Sequence, residues 1–239
     1  KKMKKILITG ANGFVGKNLS LFMEKQGFEV LKITRTTSKN DMDEMALEAD
    51  YCFHLAGEVR PDAVAEDFLN SNLNFTKELL SALSQKPIDI VFTSTVHANN
   101  SVNDYGKTKS DAENLIYDYA QLNNVDAHIY RLPHLFGPHC KPNYNSVITT
   151  WIYNALNDIE LKVFDENYEL TYIYVGDVVN TFFKQIKKRE TLPLPINYKI
   201  RLGELKFLII KLVSDTHVDI NSTFLKKLFD TVSFYKEKQ

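Results

Sequence analysis

Three glycines spaced three residues apart follow directly after a short apolar run near the start of the chain. The apolar run covers residues 6–8 (ILI), and the turn after it covers residues 9–16 (TGANGFVG). Beyond the turn, apolar side chains recur at helical spacing, at Val15, Leu19, Phe22 and Met23. This order predicts a buried strand, a tight turn and an amphipathic helix over residues 13–26.

Each glycine of this turn has a separate physical role. Gly10 permits the tight turn, Gly13 lets a backbone approach a pyrophosphate, and Gly16 lets the helix pack against the strand. The N–H groups and the positive partial charge at the start of the helix would then face the anion. The residues predicted to bind a dinucleotide here are Gly10, Asn12, Gly13, Phe14, Val15 and Gly16. Glycine turns after strands are common, so the assignment also depends on residues further along the chain.

Strand-like and helix-like patterns alternate through the first half of the chain. Strands are predicted over residues 4–9, 29–34, 51–55, 89–92 and 127–132, and helices over residues 13–26, 67–85 and 107–122. Between Arg35 and Asp50 there is room for a loop and a short helix, but hardly for another strand and helix. The alternation predicts an α/β fold, a Rossmann-like doubly wound parallel sheet covered by helices on both faces.

The regular alternation ends at Pro133, where a loop-rich stretch begins. Further helices are predicted over residues 146–156, 177–187, 203–212 and 224–235, and short strands over residues 161–164, 170–174 and 196–200. We therefore expect a nucleotide-binding core over residues 1–135. A smaller C-terminal substrate-binding lobe over residues 136–239 would be partly interleaved with it. Open α/β sheets bind ligands at their carboxyl edge, where this lobe would lie.

Composition excludes several classes of partner. The net charge of −1 offers no general attraction to nucleic acid or to an anionic membrane. No apolar run approaches the roughly 18 residues of a spanning helix. Two cysteines, Cys52 and Cys140, without a paired motif predict no disulfide and a reducing cytoplasm. His134, His139 and Cys140 match no common zinc spacing, so we expect no metal.

Candidate acid–base residues lie at the start of the third predicted helix. Tyr105 and Lys109 are four residues apart and therefore share a helix face. A phenol normally loses its proton near pH ~10, so it acts at neutral pH only beside a cation such as the Lys109 ammonium. Upstream, Ser94 and Thr95 end a strand with hydroxyls that could bond a carbonyl oxygen. The plainer alternatives are a surface pair on an amphipathic helix and a strand-end cap.

The end of the second predicted strand carries a basic residue. A turn that binds NAD would place Asp or Glu there to accept a hydrogen bond from the ribose 2′-hydroxyl. This chain has Arg35 instead, with Lys39 nearby. A guanidinium suits a 2′-phosphate, so the position favours NADP(H) over NAD(H). An exposed arginine without a ligand is the alternative.

Together these motifs resemble the extended, nucleotide-sugar branch of the short-chain dehydrogenase/reductase superfamily. The glycine turn, the hydroxyl strand end, Tyr105 and Lys109 match in order, and residues 131–138 (RLPHLFGP) are similar to another family motif. The resemblance implies that residues 54–57 (HLAG) face the cofactor through Leu55, Ala56 and Gly57, and that Asn72 is the family's helix asparagine. The resemblance runs from the N-terminus to about Val179, and a weaker continuation reaches the end of the chain.

A narrower resemblance is to the reductase half of bacterial capsular-polysaccharide enzymes that make the UDP-N-acetyl-L-fucosamine precursor. It is carried by Arg60-Pro61, residues 140–148 and residues 168–171. Those proteins continue into a cupin epimerase domain without a counterpart in these 239 residues, so epimerisation by that domain is not expected. His134 replaces a family asparagine, and Glu169 stands where many relatives carry a phosphate-binding arginine. Lys141, Arg60 and Arg201 are candidates to neutralise the pyrophosphate instead.

The resemblance implies a cytoplasmic enzyme, a homodimer, that uses NADPH to reduce the C4 keto group of a UDP-linked deoxy-amino sugar. Tyr105 would protonate the oxygen, Thr95 would position it, with Ser94 as second choice, and Lys109 would tune the phenol and hold the ribose. The expected substrate contacts are Arg60, Ser94, Thr95, His134, Lys141, Asn143, Asn145 and Ser146. Ser146 could equally be an ordinary helix N-cap.

Two other functions compete with this one. A nucleotide-sugar epimerase or dehydratase with bound NAD shares the branch. A dehydratase usually carries an acid–base pair after the catalytic hydroxyl, whereas Val96-His97 follows Thr95 here. A non-catalytic NADP-binding redox sensor is the third possibility, and the intact set of Thr95, Tyr105 and Lys109 argues against it.

Overall fold

The computed structural model describes residues 2–55, 73–95, 104–144, 146–215 and 217–239; for residues 95 and 104–109 it describes the backbone. The chain divides into two compact units. The first comprises Lys1–Leu132 with Val179–Leu194, and the second comprises Pro133–Val178 with Pro195–Gln239. None of the helices within the described ranges combines the length and apolar character needed to cross a bilayer.

The first unit is built on a parallel sheet of five strands. The strands are β1 (Lys5–Thr9), β2 (Glu29–Ile33), β3 (Tyr51–His54), β4 (Ile90–Thr95) and β5 (Ala127–Leu132), in the order β2-β1-β3-β4-β5. The helices between them are α1 (Phe14–Lys25), α2 (Lys39–Glu48), α3 (Phe75–Leu83) and α4 (Asp104–Asn123). The α/β prediction is therefore confirmed, and a loop with the short helix α2 connects β2 to β3 as expected.

The inner strands are apolar throughout because both of their faces are covered. Ile6, Leu7 and Ile8 are successive residues of β1 and all are 0% exposed. In a sheet with one solvated face, every second residue would be polar. The buried side chains of α3 and α4, among them Leu79, Leu83, Ala112 and Ile116, pack in one cluster with Leu7 and Phe92.

The strand order reverses between β1 and β3. From β1 the chain moves to β2 on one side, then returns to β3 on the other side of β1. In doubly wound sheets, the loops at the carboxyl ends of such a pair splay to opposite faces and leave a crevice between them. The glycine turn follows β1 directly, so it lies at this crevice.

The outer strand β5 is fastened to the segment that follows the helix α6 (Val175–Gln185). The Gln185 side chain is fully buried, and its amide group donates to Lys188 O at 3.1 Å and to Glu190 O at 3.0 Å. Its oxygen accepts from Leu192 N–H and from the Tyr130 hydroxyl on β5. Every hydrogen-bonding atom of this buried amide is therefore paired, as burial requires.

The second unit has a small mixed sheet with its own core. Its strands are β6 (His134–Phe136), β7 (Glu169–Tyr174) and β8 (Tyr198–Arg201), with β6 parallel and β8 antiparallel to β7. The helices α5 (Val147–Leu156), α7 (Leu202–Val213) and α8 (Thr223–Lys236) belong to the same unit. Its core includes Phe136, Trp151, Leu205, Leu228 and Val232.

Two sequence predictions for the second unit were wrong. The strand expected over residues 161–164 is irregular chain, in which Leu161 is buried and Phe164 is 80% exposed. Both edges of β7 are already paired, by β6 and β8, so this segment finds no partner there. Conversely, residues 134–136 form β6 within the stretch that the prolines marked as loop, because Tyr172–Tyr174 of β7 offer them a parallel partner.

The remaining differences concern element ends. β4 continues to Thr95, three residues past its predicted end, because its partner β5 runs on to Leu132. The helix predicted over residues 67–85 is described from residue 73 onward, and residues 67–72 lie outside the described part of the chain.

Candidate active site

The turn after β1 has the geometry that the glycine spacing predicts. Gly10 has a φ of 63°, in the left-handed region that favours glycine. The Gly13 N–H donates to Gly10 O at 2.9 Å and closes the turn. A Cβ on Gly16 would lie 2.8 Å from Gly10 C and 2.9 Å from Ala11 Cα, closer than real Cβ atoms come. Only glycine lets α1 approach the end of β1 this closely.

The first turn of α1 faces the crevice with its backbone amides. Gly13 is the N-cap residue and has no side chain to bond the amides of the first turn. Those amides have no partner within the helix, so they remain for an anion. Asn12 and Gly13 are exposed, Phe14 and Val15 are half-buried, and Gly16 is buried. The residues predicted for a dinucleotide phosphate are thus together at one helix end.

A buried histidine that the motif analysis did not single out joins the two strands at the crevice. Thr9 and His54 are paired in register at the ends of β1 and β3, and Thr9 Oγ1 lies 2.7 Å from His54 Nδ1. His54 Nε2 lies 2.8 Å from Thr76 Oγ1, and the Leu55 N–H donates to Thr9 Oγ1 at 2.9 Å. A neutral imidazole satisfies both contacts when Thr9 donates to Nδ1 and Nε2 donates to Thr76. The network holds Leu55 beside the glycine turn.

Arg35 lies just beyond β2, next to the same turn. Ile33, the last residue of β2, is paired with Thr9, and its carbonyl accepts from Ala11 N–H at 3.4 Å. Residues 34–37 form a turn in which Thr34 N–H donates to Thr37 Oγ1 at 2.9 Å. The Arg35 side chain is exposed at this position. A cation therefore stands at the end of β2, where NAD-binding turns carry an acid.

The backbone places the predicted acid–base residues on two adjoining elements. Thr95 is the last residue of β4 and is paired with Leu132. Tyr105 and Lys109 lie four residues apart near the start of α4. The side chains of Thr95, Tyr105 and Lys109 are outside the described part of the chain, so their roles stay predictions. Ala56, Gly57, Arg60, Asn72 and Asn145 are also outside the described residues.

A buried carboxylate, Glu113, ties the elements of this predicted triad together. It follows Lys109 by one helical turn and is 4% exposed. Its Oε2 accepts from Ser94 Oγ at 2.9 Å, and its Oε1 accepts from Arg131 Nη2 at 3.0 Å and Nε at 3.1 Å. Ser94 and Arg131 are register neighbours on β4 and β5. Glu113 thus holds α4 against the carboxyl ends of both strands.

This network changes what can be expected of Ser94. Its side chain is 6% exposed and its hydroxyl donates to Glu113, which leaves Thr95 as the preferred hydroxyl for a carbonyl oxygen. Sequence reasoning did not select Glu113, although the signal was present. Tyr105, Lys109 and Glu113 recur every four residues and therefore share one face of α4.

Ser94 and Thr95 are in the first unit, and the other described substrate candidates are in the second. His134 is exposed on β6, and its ring centre lies 5.9 Å from that of Tyr172. Lys141 and Asn143 are exposed in the loop before α5. Ser146 is the N-cap of α5, and its hydroxyl accepts from Thr149 N–H at 3.2 Å. The Ser146 hydroxyl therefore caps α5, which is the role that the sequence offered as the alternative to substrate binding.

Comparison with known proteins agrees with this geometry. A model of the NAD dependent epimerase/dehydratase family matches residues 6–200. A UDP-2-acetamido-2,6-beta-L-arabino-hexul-4-ose reductase of Pseudomonas aeruginosa is 36% identical over 208 residues, or 84% of this chain. The capsular polysaccharide assembling protein CapF of Staphylococcus aureus superposes with a TM-score of 0.86 over 96% of this chain, at 34% identity.

A more distant structure shares the fold alone. The Bordetella bronchiseptica enzyme WbmF, solved in complex with NAD+, is 17% identical with a TM-score of 0.84, over 98% of this chain and 93% of its own. This chain spans only part of the two more similar proteins, namely 55% of the length of the reductase and 65% of the length of CapF. The family match nevertheless covers most of the chain, with the first unit from residue 6 onward, part of the second unit and the whole glycine turn. The chain therefore belongs to the NAD-dependent epimerase/dehydratase family.

Proposed function

We propose that this protein uses NADPH to reduce the C4 keto group of a UDP-linked deoxy-amino sugar during surface-polysaccharide biosynthesis. The observation that carries the proposal is the 36% identity to a relative named as a UDP-sugar hexul-4-ose reductase. The glycine turn, at which α1 packs closely on the end of β1, supports the binding of a dinucleotide. We place the activity in the cytoplasm and expect a homodimer.

The residues at the crevice fit a dinucleotide. Gly13 is exposed and has no side chain, so a phosphate could approach the first-turn amides of α1. The exposed Arg35 at the end of β2 would pair with a 2′-phosphate and select NADP(H). Leu55 would face the cofactor from the end of β3, where His54 and Thr9 fix its backbone.

Bound at the glycine turn and beside Arg35, NADPH would supply the hydride that reduces the C4 carbon and would leave as NADP+. The Tyr105 phenol gives its proton to the C4 oxygen, so that the ketone becomes an alcohol, and the phenolate then recovers a proton from solvent. Lys109 stabilises that phenolate by its charge and holds a ribose hydroxyl. Thr95 orients the ketone oxygen by a hydrogen bond, and Glu113 fixes the strand end that carries Thr95 through its bond to Ser94.

The direct test follows NADPH absorbance with the 4-keto sugar nucleotide named for the Pseudomonas relative as substrate. We expect one NADPH oxidised per alcohol formed, slower turnover with NADH, and little with a dTDP-linked 4-keto sugar. Calorimetry with UDP, UDP-GlcNAc and dTDP measures the nucleotide preference independently of turnover.

The same experiment separates the competing functions. An epimerase or dehydratase with bound NAD would change the sugar without consuming added NADPH. A redox sensor would bind NADPH and leave the sugar unchanged. A protein that binds both NADPH and UDP yet oxidises no NADPH with the keto sugar would contradict the proposed reductase.

A further inference from the structure

The loop that carries Lys141 and Asn143 is fastened to the last helix of the chain by one hydroxyl. Tyr235 lies on α8, and its Oη accepts a hydrogen bond from Cys140 N–H at 2.8 Å. The same oxygen lies 2.7 Å from Cys140 O and 3.2 Å from Gly137 O. The Tyr235 phenol therefore bonds both the amide and the carbonyl of Cys140, a loop residue that belongs to no strand or helix.

The backbone of this loop is unusual enough to need such an anchor. Gly137, His139 and Asn143 have φ values of 146°, 66° and 59°, in the region that most residues avoid. A Cβ on Gly137 would collide with the Val175 side chain. Residues held in sparsely populated backbone regions persist only where surrounding contacts over-determine them.

The far end of the loop is held by a different helix. The Asn143 N–H donates to Thr150 Oγ1 on α5 at 2.8 Å, and Ser146 caps that helix. Lys141 and Asn143 are exposed between these two anchors. Their side chains are therefore presented from a backbone whose shape α5 and α8 set together.

Tyr235 is suited to this task at neutral pH. Burial raises the pKa of Tyr235 to about 12, so the phenol keeps its proton and can donate to a carbonyl. The neighbouring Phe234 ring packs edge-on against His139, with ring centres 4.7 Å apart, which adds a second contact between α8 and the loop.

We propose that Tyr235 is a positioning residue for the sugar nucleotide, because it sets the backbone of residues 137–144 and thereby the presentation of Lys141 and Asn143. The inference rests on the proposed function, in which this loop contacts the UDP-sugar. It predicts that Tyr235→Phe raises KM for the UDP-sugar about tenfold, as expected for losing about one well-placed hydrogen bond. We expect kcat and the NADPH Kd to change less than about twofold.

A matched control is available in the same unit. Tyr198 on β8 accepts a hydrogen bond from Lys227 Nζ at 2.9 Å, so its hydroxyl also joins an element to α8. Tyr198→Phe also removes a tyrosine hydroxyl, but this hydroxyl bonds Lys227 and not the loop, so KM should be unchanged. Thr150→Val removes the acceptor at the other end of the loop and should raise KM as Tyr235→Phe does.

The rate of cysteine labelling reports the conformation of the loop and does not depend on turnover. The chain has two cysteines, Cys140 in the loop, half-buried, and Cys52, which is 0% exposed. We expect a thiol reagent to modify Cys140 several-fold faster in Tyr235→Phe than in the wild type or Tyr198→Phe, and UDP to slow the reaction in all three.

The outcomes separate this inference from the proposed function. If the wild type binds UDP, but Tyr235→Phe and Thr150→Val leave KM and labelling unchanged, the positioning role is wrong while the function stands. Equal KM increases in Tyr235→Phe and Tyr198→Phe would show a general loss of stability and would also overturn it. A wild type that neither binds UDP nor reduces the keto sugar overturns the proposed function and the inference with it.

Discussion

Replacing Gly16 by alanine should destabilise the protein, although alanine is the better helix former. Its Cβ would overlap Gly10 O and would lie 2.8 Å from Gly10 C and 2.9 Å from Ala11 Cα, whereas ordinary contact begins at 3.4 Å. All three atoms are backbone, so α1 would have to move away from β1 by roughly an ångström or more. Overpacking of this kind costs up to about 3 kcal/mol. The higher helix propensity of alanine offsets about 1 kcal/mol of that cost. The expected net loss is about 2 kcal/mol in the free energy of unfolding.

Thermal unfolding followed by circular dichroism, without cofactor, measures this loss. For a chain of this size we expect Tm to fall by about 4–8 °C. Gly13→Ala is the matched control, because its Cβ would lie 3.2 Å from a single oxygen and its φ of −75° suits alanine. That variant should keep Tm within about 2 °C. It should bind NADPH at least about tenfold more weakly, since the methyl occupies space for the phosphate.

The two variants therefore predict opposite patterns of stability and binding. Gly16→Ala with the Tm of the wild type would refute the packing argument. Gly13→Ala with unchanged NADPH affinity would refute the assignment of this turn to the cofactor.

Three further changes test the rest of the proposed site. Arg35→Ala should reduce the preference for NADPH over NADH by about tenfold or more; equal wild-type affinities in fluorescence titrations would refute NADP selection. Tyr105→Phe should lower kcat by ~10²–10⁴ with little change in NADPH Kd, whereas Lys109→Ala should impair both; near-normal turnover by Tyr105→Phe would exclude the acid role. Glu113→Gln replaces a charged acceptor with an amide and should lower kcat more than it raises the cofactor Kd, measured after thermal unfolding confirms folding; an unchanged kcat would restrict Glu113 to structure.

The local part of the candidate site was readable from the sequence. The strand, turn and helix at residues 5–25 depend on apolar periodicity and on glycine at positions where a side chain would clash, and both are written in consecutive residues. The absence of an acid after β2 and the spacing of Tyr105 and Lys109 are likewise local. These features predicted the α/β fold, the cofactor crevice and the candidate acid–base residues.

The partners of buried polar groups could not be predicted in the same way. Ser94 was expected to face a substrate, but its hydroxyl donates to Glu113, 19 residues further along the chain. His54 bonds Thr9 across 45 residues, and Tyr235 reaches Cys140 across 95. Which of several hydroxyls or carboxylates meets a given group depends on strand order and helix docking, and neither is encoded in local spacing.

Short strands show the same division between local and tertiary information. Residues 134–136 and 161–164 are both short runs, yet only the first pairs with β7, because β7 has two edges and β8 occupies the other. The sequence by itself determined the plan of a parallel sheet covered by helices on both faces, and the glycine turn, since a chain segment's own periodicity and steric limits decide them. Only the tertiary structure decided which polar side chains hold that turn, the elements of the predicted triad and the loop of residues 137–144 in place, because those bonds join residues that the fold alone brings together.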